Sequence, residues 1–125
     1  MSPDRLLAAA DDMLRGVGTV GSAAVTGGWW PKACACLIRL ALETGLDAYW
    51  QRVDPAVAAC GRGRTKLLML HARRGPGPEI ARRMNLAWAT LSRAMHHHIY
   101  EAPLSAMELR SLHGEVAELV TRLRG

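Results

Sequence analysis

The chain has 125 residues, of which 50% are apolar and 22% charged, with a formal net charge of +5. This length fits one domain over residues 1–125, and the apolar content predicts a packed core rather than a disordered chain. The longest apolar stretch is interrupted by Arg39, Glu43 and Asp47, which excludes a membrane span. Because the first residues lack the basic-then-apolar pattern of a signal peptide, we expect a cytoplasmic protein.

The first two predicted elements are helices. Ser2 and Pro3 form a helix start, with Ser2 as the cap and Pro3 as the first helical residue. A second helix begins at Pro31 and runs to about Val53, because the following Asp54-Pro55 ends it. Arginine and glutamate lie one turn apart in this helix, at positions 39 and 43, where they can form an ion pair.

Three further helices are predicted in the second half of the chain. The third covers about 64–74 and ends at the break Gly75-Pro-Gly-Pro78. The fourth carries an apolar stripe from Ile80 to Met95. Ser105 and Glu108 form a capping box for the last helix. Since no segment alternates with the period of a strand, we predict an all-α fold, an up-and-down bundle of about five helices.

The cysteines and two isolated histidines have structural interpretations. Cys34, Cys36 and Cys60 fit neither a disulfide framework nor the C-x-x-C spacing of zinc and redox sites. We therefore predict buried thiols that pack as small apolar groups. His71, among leucines, and His113, within the last helix, are predicted to be hydrogen-bonded structural residues.

Positive charge is concentrated in the middle of the chain. Residues 62–93 hold eight basic residues and one acid, a net charge of +7, whereas the rest of the chain carries −2. This concentration predicts an anionic partner, and RNA is favoured over a membrane because no apolar insertion face accompanies it. A solvated basic surface, or one that binds an acidic protein, is the alternative. The predicted RNA-binding residues are Arg62, Arg64, Lys66, Arg73, Arg74, Arg82 and Arg83.

The segment Arg93-Ala-Met-His-His-His98-Ile-Tyr100 combines the groups needed for phosphodiester cleavage without a metal. A guanidinium binds phosphate oxygens through a planar set of donors, and an imidazole transfers protons near neutral pH. Consecutive residues on a helix point about 100° apart, so three histidines in a row do not converge on one ion. No carboxylate or cysteine beside them completes a ligand set, and we expect neither a metal nor another cofactor.

Arg93, His98 and Tyr100 reproduce the R-x4-H-x-Y pattern of HEPN domains. Over residues 29–123 the chain resembles this family, in particular the toxins that are paired with minimal nucleotidyltransferase antitoxins. Its Arg39-Leu-Ala-Leu-Glu43 segment is similar to the Arg/Glu-bearing helix common in HEPN proteins. The pattern lies near the end of the fourth long helix and precedes one more, as in that family.

The resemblance implies a metal-independent endoribonuclease from a bacterial toxin–antitoxin or defence system. His98 would act as general acid or base, and Arg93 would stabilise charge on the phosphate. Tyr100 would orient the phosphate or accept a nucleotide from an antitoxin. The resemblance also implies a homodimer in which two motifs face one cleft. His97, one turn from Arg93 on a straight helix, is the alternative imidazole.

Two other functions stay open at the level of sequence. The first is a non-catalytic helical adaptor that binds a partner protein of a defence system. The second is an RNA-binding module without chemistry. Whether the chain is an enzyme therefore depends on where the structure places Arg93 and the residues around it.

Overall fold

The computed structural model describes residues 2–16, 30–72, 75–96 and 104–125. Within these ranges there are six helices and no strand, which confirms the all-α prediction. The helices are α1 (Pro3–Arg15), α2 (Trp30–Val53), α3 (Pro55–Ala58), α4 (Gly63–Ala72), α5 (Pro78–Met95) and α6 (Ala106–Arg124).

The helix missing from the prediction is the four-residue α3. The sequence marks Asp54-Pro55 as the end of α2, but the same residues also begin the next turn. The Asp54 carboxylate accepts a hydrogen bond from the Ala56 amide at 3.2 Å, and Pro55 supplies a preset helical φ. An Asp-Pro pair is therefore both a stop and a start, which explains the difference of one helix.

The helix caps are those that the sequence predicts. Ser2 accepts a hydrogen bond from the Arg5 amide at 3.3 Å. At α6 the Ser105 hydroxyl accepts from the Glu108 amide at 3.1 Å, and the Glu108 carboxylate accepts from the Ser105 amide at 3.0 Å. The capping box is confirmed, and these hydrogen bonds to Ser105 lower the pKa of the Glu108 carboxyl.

Each long helix runs antiparallel to the next one around the bundle, whereas α2 and α6, which contact each other across it, run parallel. Asp4 pairs with Arg124 and Asp11 with Arg110, so α1 and α6 meet with their chain directions reversed. Helices α5 and α6 also run in opposite directions, and so do α2 and α5. The four longest helices therefore alternate in direction around the bundle, in the order α1, α2, α5, α6, an up-and-down arrangement.

The 24-residue α2 is the centre of the bundle, because it contacts each of the five other described helices. Its Trp50 is fully buried, and the indole Nε1 donates to the Lys66 carbonyl at 3.1 Å, which ties α2 to α4. Burial of a large apolar side chain stabilises the fold by about 2–3 kcal/mol.

None of the buried side chains in the described ranges is charged. No described helix is both long and apolar enough to cross a bilayer.

Gly45 allows α2 to approach α6 closely. A Cβ at this position would lie 2.9 Å from Cγ2 of Val120, well inside van der Waals contact. The valine side chain is β-branched and stiff, so it has little freedom to move aside. The absence of a side chain at Gly45 thus sets the distance between the central helix and α6.

We predict opposite effects of the same substitution at Gly45 and Gly114. Replacing glycine with alanine inside a helix gains about 1 kcal/mol of helix propensity at either position. Gly114 has no atom within 4 Å of an added Cβ, so Gly114→Ala stabilises the protein. At Gly45 the methyl group meets Val120, and such overpacking costs about 1–3 kcal/mol.

Urea unfolding measures both variants, and the difference between them isolates the packing cost because the propensity gain cancels. We expect Gly45→Ala to be less stable than Gly114→Ala by about 1–3 kcal/mol. Equal free energies of unfolding would mean that α2 and α6 are not closely packed at this point.

Candidate functional site

Arg93 lies in the last turn of α5, and its side chain is exposed. No side-chain hydrogen bond or ion pair of Arg93 occurs with any other described residue. An arginine that is held at a fixed place and carries no internal counter-charge is suited to binding an anion. The guanidinium that the sequence singled out is therefore presented to solvent.

Helix α5 ends just before the histidine run. Met95 is its last residue, and His96 caps it with φ −113° and ψ 14°, outside the α-helical region. The His96 amide donates to the Arg93 carbonyl at 3.1 Å. The regular helical geometry that sets the direction of the Arg93 side chain is therefore established only as far as Met95.

The other three predicted catalytic residues lie outside the described residues. They are His97, His98 and Tyr100. The meeting of Arg93 with an imidazole thus stays a prediction, for His98 and for His97 alike. Within the described ranges no three histidine, cysteine or acidic side chains are grouped so that they could hold a metal ion.

A groove between α5 and α6 adjoins the face of α5 that carries Arg93. Leu86, Thr90 and Arg93 recur at four and three residues, so they lie along one side of the helix. Leu86 and Thr90 line a cavity of about 480 Å³, together with Ser111 and Leu112 of α6. This volume is within the range of about 300–1,000 Å³ that ligand sites have. Sequence reasoning did not identify this groove, because it is formed by two helices.

Hydroxyl groups and an ion-pair cluster give the groove its polar character. The Thr90 hydroxyl donates to the Leu86 carbonyl at 2.9 Å. Arg83 donates to both oxygens of Glu115, at 3.1 Å through Nε, and to Glu118 at 3.0 Å. Its side chain is 18% exposed, so this forked pairing is partly shielded from water.

The ion pair shifts the pKa of both Arg83 and Glu115. Hydrogen bonding to Arg83 is the main cause that lowers the pKa of the Glu115 carboxyl. In turn, Glu115 first and Glu118 second raise the pKa of the Arg83 guanidinium. Arg83 was predicted to bind RNA, but in the folded chain its charge is already compensated by two carboxylates.

The other predicted RNA-binding residues fall into three groups. Arg62, Arg64 and Arg82 are exposed and form no ion pair with the described residues. Lys66 is paired with Asp47, and its side chain is only 12% exposed. Residues 73–74, both arginine, lie outside the described residues. The cations available to an anionic partner are therefore fewer than the sequence count indicates.

The Arg39–Glu43 pair predicted from sequence is confirmed, and it belongs to a larger cluster. Arg39 Nε donates to Glu43 Oε1 at 2.8 Å, and the indole Nε1 of Trp88 donates to the same oxygen at 3.0 Å. The Arg39 guanidinium carbon also lies 5.3 Å from the centre of the Trp88 ring, a cation–π contact. Arg39 Nη1 donates to the Met95 sulfur at 3.4 Å.

This cluster fixes α5 against α2 but does not face the groove. Trp88 and Arg93 are five residues apart, which places them about 140° apart around α5. The spacing of Arg39 and Glu43 within one helix predicts their ion pair. Trp88 and Met95 lie in α5, and no sequence pattern near Arg39 indicates that they join it. The cluster therefore holds the helix that carries Arg93 from the opposite side.

The predictions for the cysteines and isolated histidines are correct in part. Cys34 is buried, and burial raises the pKa of its thiol to about 11. Cys36 and Cys60 are exposed, so the prediction of buried thiols is wrong for these two. His113 Nε2 donates to the Leu7 carbonyl at 2.8 Å, as a structural histidine should. His71 is exposed near the end of α4 and hydrogen-bonds to no described residue, which contradicts its predicted role.

No family model, curated protein or solved structure matches this chain. The class to which it belongs has to be inferred from its own residues. In the described part of the chain, the features available are an exposed arginine at the end of α5, a groove between α5 and α6, and the exposed Arg62, Arg64 and Arg82 without a described acidic partner.

The Arg83–Glu115 pair predicts a pH-dependent contribution to stability. The pKa of Glu115 is lower in the folded protein than its ordinary value of 4.5, so the unfolded chain takes up the proton first as pH falls. The stabilisation is complete above about pH 5 and disappears as pH falls through the folded-state pKa. Glu115→Gln removes this contribution.

Thermal unfolding of the wild type and Glu115→Gln across pH 3–7 checks this. We expect a difference in Tm at neutral pH that shrinks towards zero on acidification. In an Arg83→Gln background the same difference should lose its pH dependence, because the counter-charge is gone. A difference in Tm that stays constant across this range would contradict the pairing.

Proposed function

We propose that this chain is a HEPN-like, metal-independent endoribonuclease of a bacterial toxin–antitoxin or defence system, acting in the cytoplasm. The observation that carries the proposal is the position of Arg93, exposed and uncompensated within the described residues, one turn before the histidine run. The R-x4-H-x-Y resemblance supplies the assignment of roles. The all-helical architecture and the end of α5 at Met95 support it.

The proposed reaction is attack of a ribose 2′-hydroxyl on the adjacent phosphate. His98, with His97 as the alternative, removes the proton of the 2′-hydroxyl as its oxygen bonds to phosphorus. Arg93 stabilises the negative charge that develops on the non-bridging oxygens. The bond to the 5′-oxygen breaks, and an imidazolium returns a proton to that oxygen. The products are a 2′,3′-cyclic phosphate and a 5′-hydroxyl, so atoms and protons balance without a metal.

The exposed cations would hold the RNA in place. Arg62, Arg64 and Arg82 have no acidic partner in the described part of the chain, so their charge is available to phosphates. Phosphate contacts of this kind give affinity and orientation without sequence preference. By the resemblance, Tyr100 orients the phosphate or receives a nucleotide from an antitoxin.

Removal of the Arg93 guanidinium tests the chemistry. Purified Arg93→Ala protein incubated with total RNA and EDTA should cleave at least about 100-fold more slowly than wild type, because a positioned charge that acts in the transition state is lost. Arg5→Ala is the matched control, since Arg5 is also an exposed helical arginine. His98→Ala and His97→Ala, compared in the same assay, identify the imidazole that acts. Equal cleavage by Arg93→Ala and wild type would remove Arg93 from the mechanism.

The division of the cations into unpaired arginines and a paired lysine predicts the salt dependence of RNA binding. Each phosphate contact adds about 0.7 to the slope of log K against log salt concentration for single strands. Arg62→Gln, Arg64→Gln and Arg82→Gln should each reduce this slope by about 0.7, a loss of one contact. Lys66→Gln should leave it nearly unchanged, because Lys66 is shielded and paired with Asp47. An equal reduction by Lys66→Gln would contradict the division.

A non-catalytic adaptor is the second candidate. Large apolar side chains are exposed at Leu86, which lines the α5/α6 groove, and at Met107 of α6, and such side chains favour a protein partner. Neighbouring genes distinguish the two candidates: a nucleotidyltransferase gene favours the toxin, and a protease or ATPase gene favours the adaptor. In the RNA assay, an adaptor gives no cleavage by the wild type.

A further inference from the structure

A smaller cavity lies where the end of α5 packs against α2. It has a volume of about 150 Å³, and four residues of α2 and the last residue of α5 line it: Cys36, Arg39, Leu40, Glu43 and Met95. At about 30 Å³ for each water molecule, this space equals about five waters. It suits one planar nucleobase, whereas a whole nucleotide with its sugar and phosphate does not fit. We call it the α2/α5 cavity.

The Arg39 guanidinium in the wall of this cavity is held in place by three neighbours. Its Nε donates to Glu43 Oε1 at 2.8 Å, and its Nη1 donates to the Met95 sulfur at 3.4 Å. The Trp88 ring lies 5.3 Å from the guanidinium carbon but does not line the cavity, so the indole and the cavity contact different sides of Arg39. A guanidinium fixed in this way offers a preset planar surface, and RNA bases stack on such surfaces.

The cavity also has a polar edge that the internal hydrogen bonds leave open. Glu43 Oε1 accepts from both Arg39 and Trp88, whereas no described group donates to Oε2. Arg39 Nη2 likewise has no acceptor among the described residues. Leu40 and Met95 supply apolar walls. The cavity therefore combines a flat cation, apolar contact and a carboxylate oxygen that can accept a hydrogen bond from a ligand.

Two exposed arginines lie beside the cavity at the start of α4. A Cβ at Gly63 would be 3.7 Å from Glu43 Oε1, so α4 begins next to the polar edge of the cavity. Arg62 and Arg64 are the chain neighbours of Gly63, and both are exposed without an acidic partner in the described ranges. A ligand whose base enters the cavity thus finds positive charge for its phosphates outside it.

Arg93 provides positive charge on the other side of the cavity. It precedes Met95 by two residues, so it lies at the same end of α5 and points about 160° away around the helix. The width of an α-helix with its side chains is about 10 Å. A strand that passes over the end of α5 can therefore place a phosphate at Arg93 and the base of a neighbouring nucleotide in the cavity.

We propose that the α2/α5 cavity binds one base of the RNA, with its ring against Arg39 and its exocyclic amine donating to Glu43 Oε2. Adenine and cytosine carry such an amine, at N6 and N4, whereas uracil has the O4 oxygen in its place. A carboxylate oxygen repels O4, and the one ring N–H of uracil lies between two carbonyl oxygens. The cavity therefore selects an amine-bearing base and rejects uracil. This inference rests on the proposed function, because it identifies the base that RNA places near Arg93.

Binding of two matched oligonucleotides tests the base preference. Short 2′-O-methyl oligocytidine and oligouridine of equal length differ at the amine and cannot be cleaved by attack of a 2′-hydroxyl. Fluorescence anisotropy should give a Kd about 10-fold lower for oligocytidine, because a hydrogen bond to a charged oxygen is gained. Equal affinities would overturn the base preference and leave the RNA proposal standing. A clear preference in a protein that cleaves no RNA would support the cavity and count against the nuclease alone.

The variant Glu43→Gln should reverse the preference. Arg39 Nε and Trp88 Nε1 are both donors, so the amide oxygen of the glutamine faces them and its NH₂ group faces the cavity. This NH₂ group donates to O4 of uracil and opposes the amine of cytosine, so oligouridine should then bind more tightly. Glu79→Gln is the matched control, since Glu79 is an exposed glutamate at the opposite end of α5. Circular dichroism checks that both variants fold. A ratio of the two Kd values that Glu43→Gln and Glu79→Gln leave alike would overturn the role of Glu43.

Alkylation of Cys36 tests occupancy of the cavity in the wild-type protein. Cys36 is exposed and lines the cavity, whereas Cys60 is exposed elsewhere and serves as the internal control. Oligocytidine at about ten times its Kd should slow the reaction of iodoacetamide with Cys36 about 10-fold, because only the empty cavity reacts. Cys60 should be slowed less, as read by mass spectrometry. Equal slowing of both cysteines would overturn the site, and equal protection by cytidine monophosphate at the same concentration would overturn RNA as the source of the base.

Discussion

The close packing of α2 against the rest of the bundle is the constraint on which the other features depend. Gly45 lets this central helix approach Val120 of α6, and the buried Trp50 ties the same helix to α4. Helix α5 is then held between α2 and α6, by Trp88 on one side and by Arg83 on the other. The face of α5 that ends at Arg93 takes part in neither contact, and it therefore faces outward. The position of the candidate site thus follows from the contacts of α5 with α2 and α6.

Much of the fold is readable from the sequence, because local chemistry encodes it. The Ser105–Glu108 capping box lies within one turn, and so does the Arg39–Glu43 pair, and both form as predicted. The contacts that complete the site join residues far apart in the chain. Arg83 and Glu115 are 32 positions apart, and Trp88 is 45 positions from Glu43. No spacing rule identifies such partners, so neither the groove nor the compensated arginine was predictable.

Ion pairing also reduces the number of charges in the basic segment, residues 62–93, that are available to a partner. The sequence counts every arginine and lysine alike, whereas the fold compensates two of them, Lys66 and Arg83, with carboxylates. Within the described part of this segment, the arginines without a carboxylate partner are Arg62, Arg64, Arg82 and Arg93. An anionic partner would therefore meet a few defined positions rather than a diffuse surface. This distinction is electrostatic, and it matters most at low salt, where uncompensated charge acts over the longest range.

The most direct measurement compares two substrates with one protein. A short RNA and its 2′-O-methyl counterpart are incubated with wild-type protein in EDTA, and the product ends are identified by mass spectrometry. We expect cleavage of the RNA alone, with 2′,3′-cyclic phosphate ends, because the 2′-hydroxyl is the proposed nucleophile. Cleavage of both substrates, or of neither, would contradict it.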